Sequence, residues 1–220
     1  MTKIEKFITA HAAAAAALLL AGLLGLDRIV AEYVLGSGYQ SAWLFSAGTT
    51  FLDTITGKEI SKFLVGLVLC GFALALLVPA RTRAIGRSTL FVGLVQLLGT
   101  LLTGVSKNLF GRLRPFQLLE SGDWSNAWFV DGSAFPSGHA GFYFGLFMPL
   151  AYLFPRWRWP LMLTPWFIAV ARVNANDHFI SDVAASIVMV AVLTLIIARL
   201  TKQRRSPDGR FEPVSLHGTA

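Results

Sequence analysis

S-T-L-F-V-G-L-V-Q-L-L-G-T-L-L-T-G-V-S-K-N-L-F-G-R-L-R-P, residues 88–115, decides the fold. Its first part, 88–106, holds no Asp, Glu, Lys or Arg. That is close to the roughly 20 residues a helix needs to cross the hydrocarbon of a bilayer. Lys107, Arg112 and Arg114 then follow within eight positions. Charge gathered at the mouth of an apolar span is costly unless it does something.

Outward from this stretch the pattern repeats. Apolar runs at residues 7–26, 63–78, 139–154, 161–173 and 183–198 read as further spans, making six. The run at 7–26 also resembles a cleaved leader, but its length exceeds the usual 7–15-residue apolar core and favours a retained helix. Residues 27–61 mix Asp27, Arg28, Glu32, Asp53, Lys58 and Glu59 with aromatics. Such a mixture suits a segment lying in the membrane interface, or else a loop outside it. The expectation is an all-α, polytopic membrane protein with six transmembrane helices and an interfacial segment between the first two. Residues 1–200 form a single domain, and 201–220 are expected to be a disordered cytoplasmic tail.

Composition agrees. Of the 220 residues, 55% are hydrophobic and 14% charged, against about 25% charged in soluble domains. Mean hydropathy is +0.61. The single cysteine, Cys70, excludes an intramolecular disulfide. The net charge of +7 does not point to nucleic acid. The N-terminus, Arg81, Arg83, Arg87, Arg156, Arg158 and the C-terminal tail fall on one side by helix parity, and the positive-inside rule makes that side cytoplasmic. Both termini are then cytoplasmic, in a multi-pass protein of the plasma (in a bacterium, inner) membrane.

Two more polar stretches face the opposite side, the periplasm or exterior. They are P-S-G-H at 136–139 and R-V-N-A-N-D-H-F-I-S-D at 172–182. The three stretches carry Lys107, Arg114, Arg172, His139, His178 and Asp182. Lys and Arg suit phosphoryl oxygens as a point charge and a planar fork. Two histidines and a carboxylate suit a nucleophile, a proton donor and an orienting group.

The spacing K-x6-R-P, P-S-G-H and R-x5-H-x3-D resembles the three motifs of the type 2 phosphatidic acid phosphatase superfamily. One position departs from it. The family's third motif usually has Ser before its Arg, and here Ala171 stands there, which is expected to tune the site. The resemblance implies a lipid phosphatase acting on phosphatidic acid, phosphatidylglycerol phosphate, undecaprenyl diphosphate or lipid A 1-phosphate. On this reading Lys107, Arg114, Ser137, the Gly138 amide and Arg172 hold the phosphate. His178, oriented by Asp182, attacks phosphorus, and His139 protonates the leaving oxygen. Arg112 is assigned a headgroup or structural role, and Asp177 a helix cap or a headgroup contact. No metal or other cofactor is expected, because three cations supply the positive charge. The alternatives are a phosphotransferase on the same scaffold and a non-catalytic binder or transporter of lipid phosphates. Oligomeric state stays open.

Overall fold

The computed structural model describes residues 1–201 and 203. The expected tail therefore lies almost wholly outside the described residues. Among these, nine α-helices and no strand occur: α1 (Lys3–Ala21), α2 (Asp27–Gly36), α3 (Trp43–Ile55), α4 (Leu64–Leu77), α5 (Arg83–Phe110), α6 (Pro115–Ser121), α7 (Gly138–Leu153), α8 (Arg158–Asn174) and α9 (Ile180–Leu200).

Three helical stretches are long and apolar enough to cross a membrane: Lys3–Gly36, Arg83–Ser121 and Ile180–Leu200. The apolar α4, at 14 residues, extends about 21 Å at 1.5 Å per residue. The first expected span thus runs further than read. α1 passes through a wider turn at Gly22–Leu26, with Gly25 at φ 130°, into α2. Residues 27–61 are largely helical, as α2 and α3. The segment between α5 and α7 carries the short α6, which Pro115 starts as its first helical residue.

α7 is the centre of the bundle and packs on α5, α8 and α9; α1 lies on α9, and α4 on α5. The composition of α7 explains its place. G-H-A-G-F-Y-F-G-L-F-M-P-L-A-Y-L is apolar almost all round, and such a helix is stable only when covered on every side. Small residues set the close crossings. A Cβ on Gly145 would stand 3.2 Å from the Gln96 Cα, and one on Gly93 would stand 2.8 Å from the Cys70 sulfur. Close backbone approach at small residues is how helices associate where lipid removes the hydrophobic drive.

A buried ion network ties the ends of these helices together. The Arg112 guanidinium donates to Asp27 Oδ2 at 2.8 Å, and to Ser181 Oγ and Asp182 Oδ1 at 2.6 Å each. It lies between the rings of Phe179 and Trp128, 4.0 and 4.4 Å from their centroids. Asp27 also accepts from the Ser181 backbone N–H at 3.0 Å and from its hydroxyl. Gly22 makes this approach possible, because a Cβ there would lie 2.6 Å from Asp27 Oδ1 and 2.8 Å from Ser181 Cβ. Asp27 is therefore expected to anchor the fold. Asp27→Ala removes one of the two carboxylates bonded to a buried guanidinium and the acceptor of the Ser181 N–H, and should cost about 3–5 kcal/mol, read from denaturant unfolding in mixed micelles. Breaking the exposed Arg28–Glu32 pair with Glu32→Ala should cost under about 1 kcal/mol.

Candidate active site

The first polar stretch is shaped by its glycine and proline. α5 ends with Gly111 in the left-handed region at φ 50°, its N–H donating to the Lys107 carbonyl at 2.9 Å. That turn sends Arg112 inward. Arg114, the residue before proline, is extended at φ −80°, ψ 155°, as proline requires of its predecessor. Lys107 and Arg114 therefore meet across a turn and not along one helix face. Their connection passes through Ser133. The Lys107 ammonium donates to its carbonyl and Arg114 to its hydroxyl, the latter at 3.3 Å.

Ser137 is the N-cap of α7, its Oγ accepting from the Ala140 N–H at 3.4 Å. It is fully buried. Its own N–H donates to the Asp182 carbonyl at 3.0 Å, and the Ser186 hydroxyl donates to its carbonyl at 2.8 Å. The second and third stretches are thus bonded directly. Gly138 faces the first: a Cβ there would sit 3.5 Å from the Lys107 Cε.

The third stretch turns at Asn176, in the left-handed region at φ 53°, which Asn tolerates better than most residues. The turn separates Arg172, in α8, from His178, which precedes α9. Asp182 is the third residue of α9 and reaches back to accept the Phe179 N–H at 2.7 Å. The same oxygen lies 3.6 Å from His178 Nδ1, a nitrogen with no hydrogen-bond partner. His178 is buried, which pushes its imidazole down to about 4, with the neighbouring Asp182 carboxylate acting in the opposite sense.

Of the two roles expected of Arg112, the structure favours the structural one, since it is buried and bonded inside the fold; one expectation is corrected. Asp177 does not cap α9, whose N-cap is Phe179. Its carboxylate instead bridges two arginines, Arg114 at 3.1 Å and Arg172 at 2.5 Å. Two cations otherwise left facing each other are stabilised by an anion between them, and Arg172 still keeps a buried Nε without a partner.

One set of contacts had no signal in the linear reading. His139 Nε2 lies 2.9 Å from Asp53 Oδ2 of α3. Asp53 also accepts from Lys58 at 2.9 Å and from the Tyr143 hydroxyl at 2.6 Å. Asp53 and Lys58 were visible only as charges in an amphipathic segment. Nothing in the spacing links them to a histidine 86 positions away.

Lys107, Arg114, Arg172, His139 and His178 lie near enough to one another at the helix ends of the apolar bundle to interact electrostatically. The class is a helical membrane protein with a cluster of cationic and imidazole groups at its helix ends. Residues 88–206, more than half of the chain, match the PAP2 superfamily, and the chain belongs to that family. It is similar to the lipid A 1-phosphatase of Rhizobium johnstonii (strain DSM 114642 / LMG 32736 / 3841), with 29% identity across 92% of this chain and 84% of that protein. It is also similar to the lipid A 1-phosphatase of Rhizobium etli (strain ATCC 51251 / DSM 11541 / JCM 21823 / NBRC 15573 / CFN 42), at 28% across 92% and 88%. No solved structure matches the chain.

Asp177 occupies the place between the two arginines, where negative charge is favoured. Asp177→Asn is therefore expected to tighten orthovanadate binding about tenfold, roughly 1.4 kcal/mol, measured by isothermal titration calorimetry in detergent. An unchanged affinity would mean that the oxyanion binds elsewhere.

Proposed function

We propose that the protein is an integral-membrane lipid phosphatase whose substrate is the 1-phosphate of lipid A or a closely similar glycolipid phosphate. The observation that carries this reading is the convergence of the three polar stretches at one end of an apolar bundle. Lys107 lies beside Gly138, Arg114 and Arg172 share Asp177, and Ser137 is bonded to Asp182. Family membership and the two relatives support it.

In this mechanism Lys107, Arg114, Arg172, Ser137 and the Gly138 amide hold the phosphate. Fixed cations and a helix N-terminus stabilise the spread charge of a phosphoryl transition state. His178 Nε2 attacks phosphorus, with Nδ1 turned to Asp182. The P–O bond to the lipid breaks, and its electron pair leaves on the lipid oxygen, which takes a proton from His139. Water then attacks the phosphohistidine and gives its proton to His139, and the N–P bond electrons return to His178. Inorganic phosphate is released. The burial that keeps His178 neutral down to about pH 4 keeps its lone pair available in mildly acidic surroundings.

The wider reading extends the fold. Residues 1–200 form a single domain with six spans, α3 lies in the interface, and the site faces the periplasm. The basic residues at the N-terminus, the 81–87 turn and the 156–158 turn support that orientation. No metal takes part, since the charge stabilisation is assigned to Lys107, Arg114 and Arg172. Asp177 borders the phosphate, where a substrate sugar would lie.

The test is phosphate release by purified protein in detergent with EDTA. Lipid A 1-phosphate, phosphatidic acid, phosphatidylglycerol phosphate and undecaprenyl diphosphate are compared, beside His178→Ala. Release from the lipid A 1-position that survives EDTA and disappears in His178→Ala is expected, with an acid-labile phosphoenzyme. Radiolabel passing into a second lipid would instead mark a phosphotransferase. The acid limb of kcat/KM, corrected for substrate ionisation, should fall near pH 4 and not near the ~6.5 of free histidine, because only protonation of His178 removes the nucleophile.

A further inference from the structure

α3 shows two unlike faces. Phe51 and Ile55 are exposed, 64% and 61%, while Thr49 and Asp53 are buried. Its position is fixed at three levels. The Asn174 side chain accepts from the Ala42 N–H at 3.0 Å and donates to the Tyr39 carbonyl at 2.9 Å. Gly48 lies against the Phe167 ring, where a Cβ would stand 2.5 Å from Cζ. Asp53 closes the contact through its bonds to His139, Lys58 and Tyr143.

Asp53 and Lys58 already satisfy each other as an ion pair five residues apart. Two further donors from α7 are more than that pair needs. Burial alone would raise the Asp53 carboxyl, but the hydrogen bonds from His139, Lys58 and Tyr143 hold it well below the usual carboxylate range. An ionised carboxylate is acceptor-only. The proton of the His139–Asp53 bond therefore sits on Nε2, and Nδ1 is the nitrogen left over. The charged groups acting on His139 are Asp53, Lys58 and Arg172.

We propose that Asp53 is the positioning residue of the general acid–base: it holds His139 by Nε2–H, so that Nδ1 of the imidazolium gives its proton to the departing lipid oxygen and Nδ1 of the neutral ring later takes one from water. This rests on the general-acid role of His139 set out above. It resembles the orienting carboxylate of a hydrolase triad, supplied by a helix outside the three motifs. Lys58 and Tyr143 complete the carboxylate's hydrogen bonds and so fix the side chain that orients the imidazole.

A merely structural Asp53 and a positioning Asp53 differ in leaving-group dependence. Proton donation matters greatly for an alkoxide leaving group and little for a nitrophenolate. Turnover of lipid A 1-phosphate and of 4-nitrophenyl phosphate is compared in Asp53→Asn, Asp53→Glu, His139→Ala and the Asp53→Asn/His139→Ala double variant. General acid–base catalysis contributes ~10²–10⁴-fold. Asp53→Asn should lower kcat on the lipid about 10²-fold, at least about tenfold more than on the aryl ester. Asp53→Glu should recover part of the loss, and the double variant should match His139→Ala alone. Imidazole ¹⁵N NMR of the substrate-free protein gives a reading that needs no turnover. At a pH where its ring is neutral, His139 should be the Nε2–H tautomer, and Asp53→Asn should remove that preference. Equal losses on the two esters, additive losses in the double variant, or an unchanged tautomer would each overturn the proposal. If His139→Ala itself shows no leaving-group dependence, the general-acid assignment fails first and takes this inference with it.

Discussion

A buried guanidinium is what the rest of the structure depends on. Arg112 is held under two aromatic rings and bonded to Asp27, Ser181 and Asp182. A charge taken out of water costs several kcal/mol unless its partners stay in place. The turn after α5, the junction of α1 and α2, and the first turn of α9 are therefore held to one relative position. Asp182 shows how much follows from this. It accepts from Arg112, closes the N-terminus of α9 through the Phe179 N–H, and stands beside His178. The same carboxylate that neutralises Arg112 thus also lies 3.6 Å from the His178 ring.

Charge alternation governs the exposed side of that network. Arg114 and Arg172 are kept from repelling each other by Asp177, and Lys58 and His139 converge on Asp53. A cluster of cations able to bind a phosphate is unstable when empty unless anions of the chain stand among them. Asp177 stands between its arginines partly exposed, whereas Asp53 has three donors and little exposure. The two carboxylates thus answer the same electrostatic need at different depths.

The members of the polar cluster were legible in the sequence because charge inside an apolar chain is expensive and therefore rare. Lys107, Arg114, His139, Arg172, His178 and Asp182 stand out for that reason. Local turns were legible too: Gly111 and Asn176 take positive φ, and Arg114 is extended before Pro115. α6 was missed because seven residues in a polar stretch carry too little periodicity. Asp27 and Asp53 were seen only as members of a mixed segment, since the face a residue presents across 85 or more positions leaves no mark on its neighbours. The two readings of Arg112 could not be separated for the same reason, as Asp27 and Ser181 are remote from it in the chain.

By itself the sequence determined an apolar helical chain, the order of its polar stretches, and the residue types able to handle a phosphate. Hydropathy, parity and spacing are properties of the chain read locally, and they suffice for that much. Only the tertiary structure decided that Arg112 turns inward while Arg114 turns to Asp177, and that α3 brings a carboxylate to His139. Those outcomes depend on which buried charges find partners across the bundle. That is a condition on the whole packed molecule, and no local pattern carries it.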